Sequence, residues 1–286
     1  MAIAAIRGKS VFLKTEKELL RLSSGHSADA VHRFRTTTRR LQTLLEQIVT
    51  ADRRPHKKLL KMLNRVRKSA GKVRDIDAQL DALRSLKVPQ EPRRKTQLVH
   101  FLLDLRAQHE KRLRKLLKKD NVREIRKRLK RAAGLVQFDA GRDPLAVARE
   151  LLAGVALPGG FGDENALHRY RTVVKRARYA VEFAPKSPES TQFLAQLRRL
   201  QDALGNWHDW LTLTHTATER FGGINESSLV AVLHNLTRGK LRNAVAAVAA
   251  ARAEFSAVEQ IPKDSRQHPK ASRNAAAIEA RGNVAA

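Results

Sequence analysis

Between residues 31 and 48 apolar side chains recur at Val31, Phe34, Leu41, Leu44, Leu45 and Ile48, the three-and-four spacing of one buried helix face. Leu59, Met62, Leu63, Val66, Ala70 and Val73 form a second such stripe. Leu98, Phe101, Leu102, Leu105, Leu113, Leu116 and Leu117 form a third, longer one. The nine prolines, at 55, 89, 92, 144, 158, 185, 188, 262 and 269, all fall at gaps in this periodicity. A residue with no N–H that clashes with the preceding turn ends a helix there. No run of alternating β-branched or aromatic residues interrupts the pattern, so the spacing predicts an all-α protein built from amphipathic helices. The final 26 residues, 261–286, carry no stripe and are expected to be a flexible tail.

The pattern is repeated. "VHRFRTTTRRLQTLLEQ" (31–47) aligns with "LHRYRTVVKRARYAVEF" (167–183) at an offset of 136, placing His32 over His168, Arg35 over Arg171, Arg39 over Lys175, Arg40 over Arg176 and Glu46 over Glu182. "LNRVRKSAGKVRDIDAQL" (63–80) aligns with "LRRLQDALGNWHDWLTL" (197–213) at an offset of 134, placing Arg65 over Arg199, Gly71 over Gly205 and Asp75 over Asp209. Two blocks in the same order at nearly equal offsets predict a duplicated unit of about 130 residues. The expected organisation is a helical-bundle repeat over 1–140 and a second over 141–260, two antiparallel bundles facing each other about a pseudo-two-fold axis.

Charge changes this picture from a bare bundle to a binding surface. The 286 residues hold 57 Lys and Arg against 28 Asp and Glu, a formal net charge of +29. A compact state so charged repels itself until anions gather on it. At helical spacing His32, Arg35, Arg39, Gln42 and Glu46 share one face, as do His168, Arg171, Lys175, Arg178 and Glu182. Both rows flank the apolar stripe, so their cations converge on a groove between helices. A further row, Lys58, Lys61, Arg65, Lys68 and Lys72, contains no acid and is expected to extend the basic track. Single charge runs are usually solvated faces, but three rows, two related by duplication, predict a site.

The remaining polar residues have smaller roles. Ser27 and Asp163 stand five residues before His32 and His168 as N-caps, so both histidines fall in the second helical turn, either donating to a ligand or pinning one helix to another. Asp75 and Asp209 are expected to cap a helix or to hold an arginine of the basic wall, and Glu46 and Glu182 to orient Arg or Lys. Trp207 and Tyr179 read as packing. His208–Asp209 has the look of a metal-binding pair of a phosphohydrolase, but Arg74 stands at the equivalent of His208 and no second His–acid cluster follows. With no Cys, disulfides, thiolate metal sites and Cys nucleophiles are excluded. No metal site, cofactor or catalytic residue is expected, and no apolar run of 18 residues suggests a membrane span.

The paired blocks "VHRFRTTTRR" and "LHRYRTVVKRARYAVEF", with "VRDID" and "LQDALGNWHDW", resemble the CHAD domain, the conserved histidine α-helical domain, over about residues 8–256. The resemblance implies two four-helix bundles with pseudo-two-fold symmetry, a basic central cavity or pore, and binding of inorganic polyphosphate. Members are often joined to a triphosphate tunnel domain of the CYTH type, but no Glu-x-Glu-x-Lys occurs here, so the chain resembles a stand-alone member.

The expected function is therefore electrostatic capture of polyphosphate, without turnover. Its contacts are expected at Arg35, Arg39, Arg40, Lys72, Arg171, Lys175, Arg178 and Arg199, with His32, Arg74, His168 and Arg176 beside them and Lys58, Lys61, Arg65 and Lys68 extending the track. Arg178 carries more weight than its counterpart Gln42. Sequence-independent nucleic-acid binding is the alternative, weakened by an aromatic content of 5% that leaves few stacking platforms. A cytoplasmic protein associated with polyphosphate granules is the expected setting.

Overall fold

The computed structural model describes residues 2–49, 53–87, 91–137, 142–155 and 164–259. These form nine α-helices and, among the described residues, no strand: α1 (Ala2–Ser24), α2 (Ala28–Thr43), α3 (Arg53–Ser85), α4 (Pro92–Leu116), α5 (Lys119–Leu135), α6 (Pro144–Ala153), α7 (Glu164–Val181), α8 (Pro188–Phe221) and α9 (Ser228–Glu259). The expected all-α class is what the chain adopts. Residues 1–248 form one compact unit; the second, 249–286, is described only by the end of α9. The expected tail at 261–286 and Asp163 lie outside the described residues.

Local chemistry sets the helix ends. The Ser27 hydroxyl accepts from the Ala30 amide at the start of α2, and the Asp143 carboxylate accepts from the Leu145 and Ala146 amides at the start of α6. Pro92, Pro144 and Pro188 occupy first helical turns, where the missing N–H costs nothing. Ser187 and Ser190 hydrogen-bond each other's amides in a capping box. Gly222 ends α8 at a φ of +84°, and a side chain there would strike the Glu226 carboxylate.

The stripes become the core. Val31, Phe34, Leu41, Leu44, Leu45 and Ile48 are all buried, as are Leu59, Leu63, Val66, Ala70 and Val73. The third stripe is less regular, since Phe101 is exposed while Leu98, Leu102, Leu113 and Leu117 are buried. Ile76, Leu80, Leu83 and Leu86 of α3 pack with Leu98 and Leu102 of α4, Leu213 and Ala217 of α8, and Leu229, Val230 and Leu233 of α9. Emptying a filled position here, as in Leu83→Ala, costs about 2–5 kcal/mol.

Two features position the site. Helix α2 contacts α7, and α3 contacts α8, so each helix carrying a repeated block touches its counterpart. Helix α2 also passes into a π-helical stretch at Leu44–Ile48. The wider turn keeps Leu44, Leu45, Ile48 and Val49 all buried while carrying Glu46 past them. In the second half α7 simply stops at Val181 and Glu182 lies in a turn. Helix α5 has no counterpart in the repeat. It buries Val122, Ile125, Leu129 and Ala132 and turns most of the cations of the Lys111–Arg131 run toward solvent.

Candidate functional site

Arg35 projects from α2 onto α3. Its guanidinium donates to the Gly71 carbonyl at 2.8 Å and to Asp75 Oδ1 at 3.2 Å. Gly71 permits this approach, because a Cβ there would meet the guanidinium carbon at 3.6 Å. Its equivalent in the other half, Arg171 of α7, reaches toward Asp209 of α8, but Nη2 stays 3.9 Å from Oδ1. Arg171 Nε is buried with no hydrogen-bond partner, and the space above Gly205 is open. One arginine is latched to its helix pair and its counterpart is not.

Arg39 and Lys175 follow one turn later. Neither makes a hydrogen bond or ion pair among the described residues, although both are partly buried. Burial, with the charges of Arg171, Arg39 and Arg35 and against that of Asp209, pushes the Lys175 amine down to about 7. Burial also lowers Arg39, beside Arg35 and Arg176, and Arg171, between Arg39, Arg35 and the opposing Asp209 and Asp75. Arg67 of α3 belongs to the same group: burial and the neighbouring Arg39, Arg35 and Arg176 push it down to about 10. The cluster is thus a set of like charges held together by the fold, each making its neighbours harder to protonate.

The histidines border this cluster. His32 is exposed, and burial of its ring together with Arg74 and Arg35 lowers its basicity. His168 packs its ring 5.2 Å from that of His208 and is likewise lowered, by burial, His208, Arg171, Lys175 and Arg39. His208 Nδ1 lies 3.6 Å from Asp209 Oδ1. Burial would raise the Asp209 carboxyl, but His208, Arg171 and Arg74 outweigh it and hold the group low. Asp75 and Asp209 therefore serve arginines of the wall, one of the two roles expected of them.

Below the open cluster is a closed one. Glu182 accepts from Arg40 Nε at 2.5 Å and Nη2 at 3.3 Å, and from Arg178 Nη1 at 2.5 Å, joining α2 to the end of α7. Arg178 also donates to Gln201 at 2.7 Å and lies over the Tyr179 ring at 4.3 Å. It is 8% exposed, so the arginine given most weight in the sequence has its donors committed inside the protein. The Glu182 role as an orienter is as expected, and Trp207 and Tyr179 are buried as expected. Glu46 accepts from Gln42 at 2.9 Å.

The structure thus brings together His32, Arg35, Arg39, Arg74, His168, Arg171, Lys175 and Arg176, with Arg40 and Arg178 underneath. It does not bring in the long lysine row. Two residues along a helix are about 200° apart, so Arg65 points away from the face of α3 that carries Arg67, and Arg199 from the face of α8 that carries Gln201. Lys58, Lys61, Lys68 and Lys72 share the outward, exposed face of Arg65, and Arg199 is exposed. The sequence reading missed Arg67. Its signal was the alignment itself: Arg67 stands over Gln201 just as Gln42 stands over Arg178, so the arginine has changed helices between the halves.

Chemically, the cluster offers guanidinium forks and one amine to a multidentate anion. Among the described residues no group of His, Asp and Glu converges to hold a metal ion. The fold and site define a class: a helical protein whose repeated helices bring cations to a common face without matching acids. The profile of the CHAD domain matches residues 10–218, and the chain belongs to that family, which is associated in general with polyphosphate binding. The structure is similar to that of PptA from Streptomyces chartreusis, with a TM-score of 0.64 at 16% identity over 87% of this chain and 98% of that one. It is similar too to the CHAD domain of the plant Ricinus communis, with a TM-score of 0.61 at 17% identity over 91% of this chain and 92% of that one. No curated protein matches the chain. No described helix is long and apolar enough to cross a membrane.

Proposed function

We propose that this protein binds inorganic polyphosphate in a basic groove between two helical bundles, 1–140 and 141–260, related by a pseudo-two-fold axis, and does so without turnover. The observation that carries this is the convergence of Arg35, Arg39, Arg67, Arg171, Lys175 and Arg176 from α2, α3 and α7, opposed only by Asp75 and Asp209. Polyphosphate is a flexible line of phosphates with oxygen acceptors alone. Recognising it needs many donors on rigid walls and nothing that reads a base. Each phosphate that enters relieves repulsion already present, so the strain among the cations becomes binding energy. Arg171 and Lys175, with donors unspent, contact the chain first; Arg40 and Arg178 hold α2 and α7 together beneath it. Turnover would require a metal held by clustered carboxylates or a placed base, and the acids here are engaged with arginines.

The test is a titration of labelled long-chain polyphosphate at about 150 mM salt, where surface charges more than a Debye length of about 8 Å apart are screened. Duplex DNA and single-stranded RNA serve as competitors. Retention of polyphosphate against an excess of both, in phosphate units, supports the groove. Displacement by either at equal phosphate concentration shows a general polyanion binder, acting through the exposed row from Lys58 to Lys72, and puts the nucleic-acid reading first. Release of inorganic phosphate during the titration would overturn the absence of turnover.

A further inference from the structure

We propose that the Nε of Lys175 is an acylation site for small acyl phosphates, which the neighbouring guanidinium groups dock by the phosphate. The amine makes no hydrogen bond and no ion pair among the described residues, so no acceptor holds its proton or its lone pair. Arg171 on its own helix and Arg39 and Arg35 of α2 surround it; His32 of α2 and His168 of α7 lie within its field, and Asp209 of α8 is the acid nearest to it in effect. Arg171 Nε is buried without a partner, and a phosphate oxygen would supply one.

Lysines desolvated beside other cations are nucleophilic near neutrality, because the amine sheds its proton there. At about pH 7.5 an ordinary lysine with a pKa near 10.4 is unprotonated in only about one molecule in a thousand. The downward shift of Lys175 to about 7 makes most of its amine available at the same pH. In the step, the Nε lone pair attacks the acyl carbon and forms the C–N bond. The bond from that carbon to the phosphate oxygen breaks, inorganic phosphate leaves with its electrons, and the nitrogen loses one proton to the phosphate or to water. The product is a neutral amide, which removes one donor and one charge from the cluster. Docking of the phosphate rests on the anion-binding reading above; the reactivity of the amine does not.

The experiment treats the full chain with acetyl phosphate at about pH 7.5 and follows each lysine by quantitative peptide mass spectrometry. Lys175 is expected to react about tenfold or more faster than Lys58, Lys61, Lys68 and Lys72. Tripolyphosphate in excess is expected to slow Lys175 alone. Arg171→Gln should slow Lys175 and leave Lys58 unchanged, and K175R, which keeps the charge, supplies the blank. Equal rates at Lys175 and the exposed lysines overturn the proposal. So does a preference for Lys175 that is as large with an uncharged acetyl donor, since docking then contributes nothing. Failure of long-chain polyphosphate to bind the unmodified protein would count against the function reading and leave the acetyl-donor rates as they are.

Discussion

The two halves of this protein carry the same elements and use them differently. In the first, Arg35 is latched to Gly71 and Asp75, Gln42 answers Glu46, and the arginine that completes the group, Arg67, comes from α3. In the second, Arg171 stands 3.9 Å from its acid, and Arg178 of α7 is locked by Glu182 and Gln201. Duplication supplied two equal frames. Divergence then made the half with Arg178 a rigid joint below an uncommitted pair, Arg171 and Lys175. The half with Arg67 keeps its first arginine fixed and offers charge from deeper in the helix pair. Equal numbers of cations thus become one fixed wall and one receptive wall.

The strongest way to break this comparison is to reverse the receptive wall. Arg39, Arg171 and Lys175 all changed to Glu are expected to lower polyphosphate affinity by about a thousandfold, as expected when several phosphate contacts are lost. The same reversal at Lys111, Arg112 and Lys115 changes net charge equally and should cost about tenfold or less, the difference that isothermal titration at fixed salt would read. Similar losses from both triples would leave net charge as the only determinant. Next in size is the joint. Glu182→Gln strands Arg40 and Arg178 and should lower stability by about 3 kcal/mol, whereas Glu46→Gln, facing Gln42, should cost under about 1 kcal/mol. Urea denaturation of both variants checks the contrast, and equal costs would mean the halves are held alike.

Proton linkage gives a third comparison. The Lys175 amine is held low by burial and its cationic neighbours, and bound phosphate raises it again. Affinity should therefore be level below about pH 7 and fall as pH rises above it, by at most about tenfold per unit. Lys175→Arg should flatten that slope, as binding measured from about pH 6 to 9 would reveal. Folding follows the same sign: the depressed amine makes the free protein more stable as pH rises from about 7 toward 10.4, the unfolded value. The smallest expected effect sharpens the comparison. Arg67→Gln should weaken binding about fivefold, on the scale of one screened ion contact of about 1 kcal/mol. Adding Gln42→Arg gives the first half the second half's arrangement, with a new partner for Glu46, and should raise its melting temperature above that of Arg67→Gln alone.

Helix class, the buried stripes, the two repeated blocks and the family were all legible along the chain, because each depends on residues a few positions apart or on a match of short blocks. The capping by Ser27, the helix starts at Pro92, Pro144 and Pro188, the burial of Trp207, and the service of Asp75 and Glu182 to arginines follow from the same local logic. Which cations face one another does not. Arg65 and Arg67 differ by two positions and about 200° of helix, yet only the packing of α3 against α2 and α8 decides which direction is the site. The lysine row from Lys58 to Lys72 looked equal to the true rows in sequence, since spacing records that residues share a face and not what that face meets. Arg178 looked freest where it is most engaged, because its partners Glu182 and Gln201 are chosen by the turn after α7 and by the register of α8. The sequence determined the elements and their charge. Tertiary structure decided which charges are spent inside the protein and which are left for a ligand, because that depends on distances between helices more than a hundred residues apart.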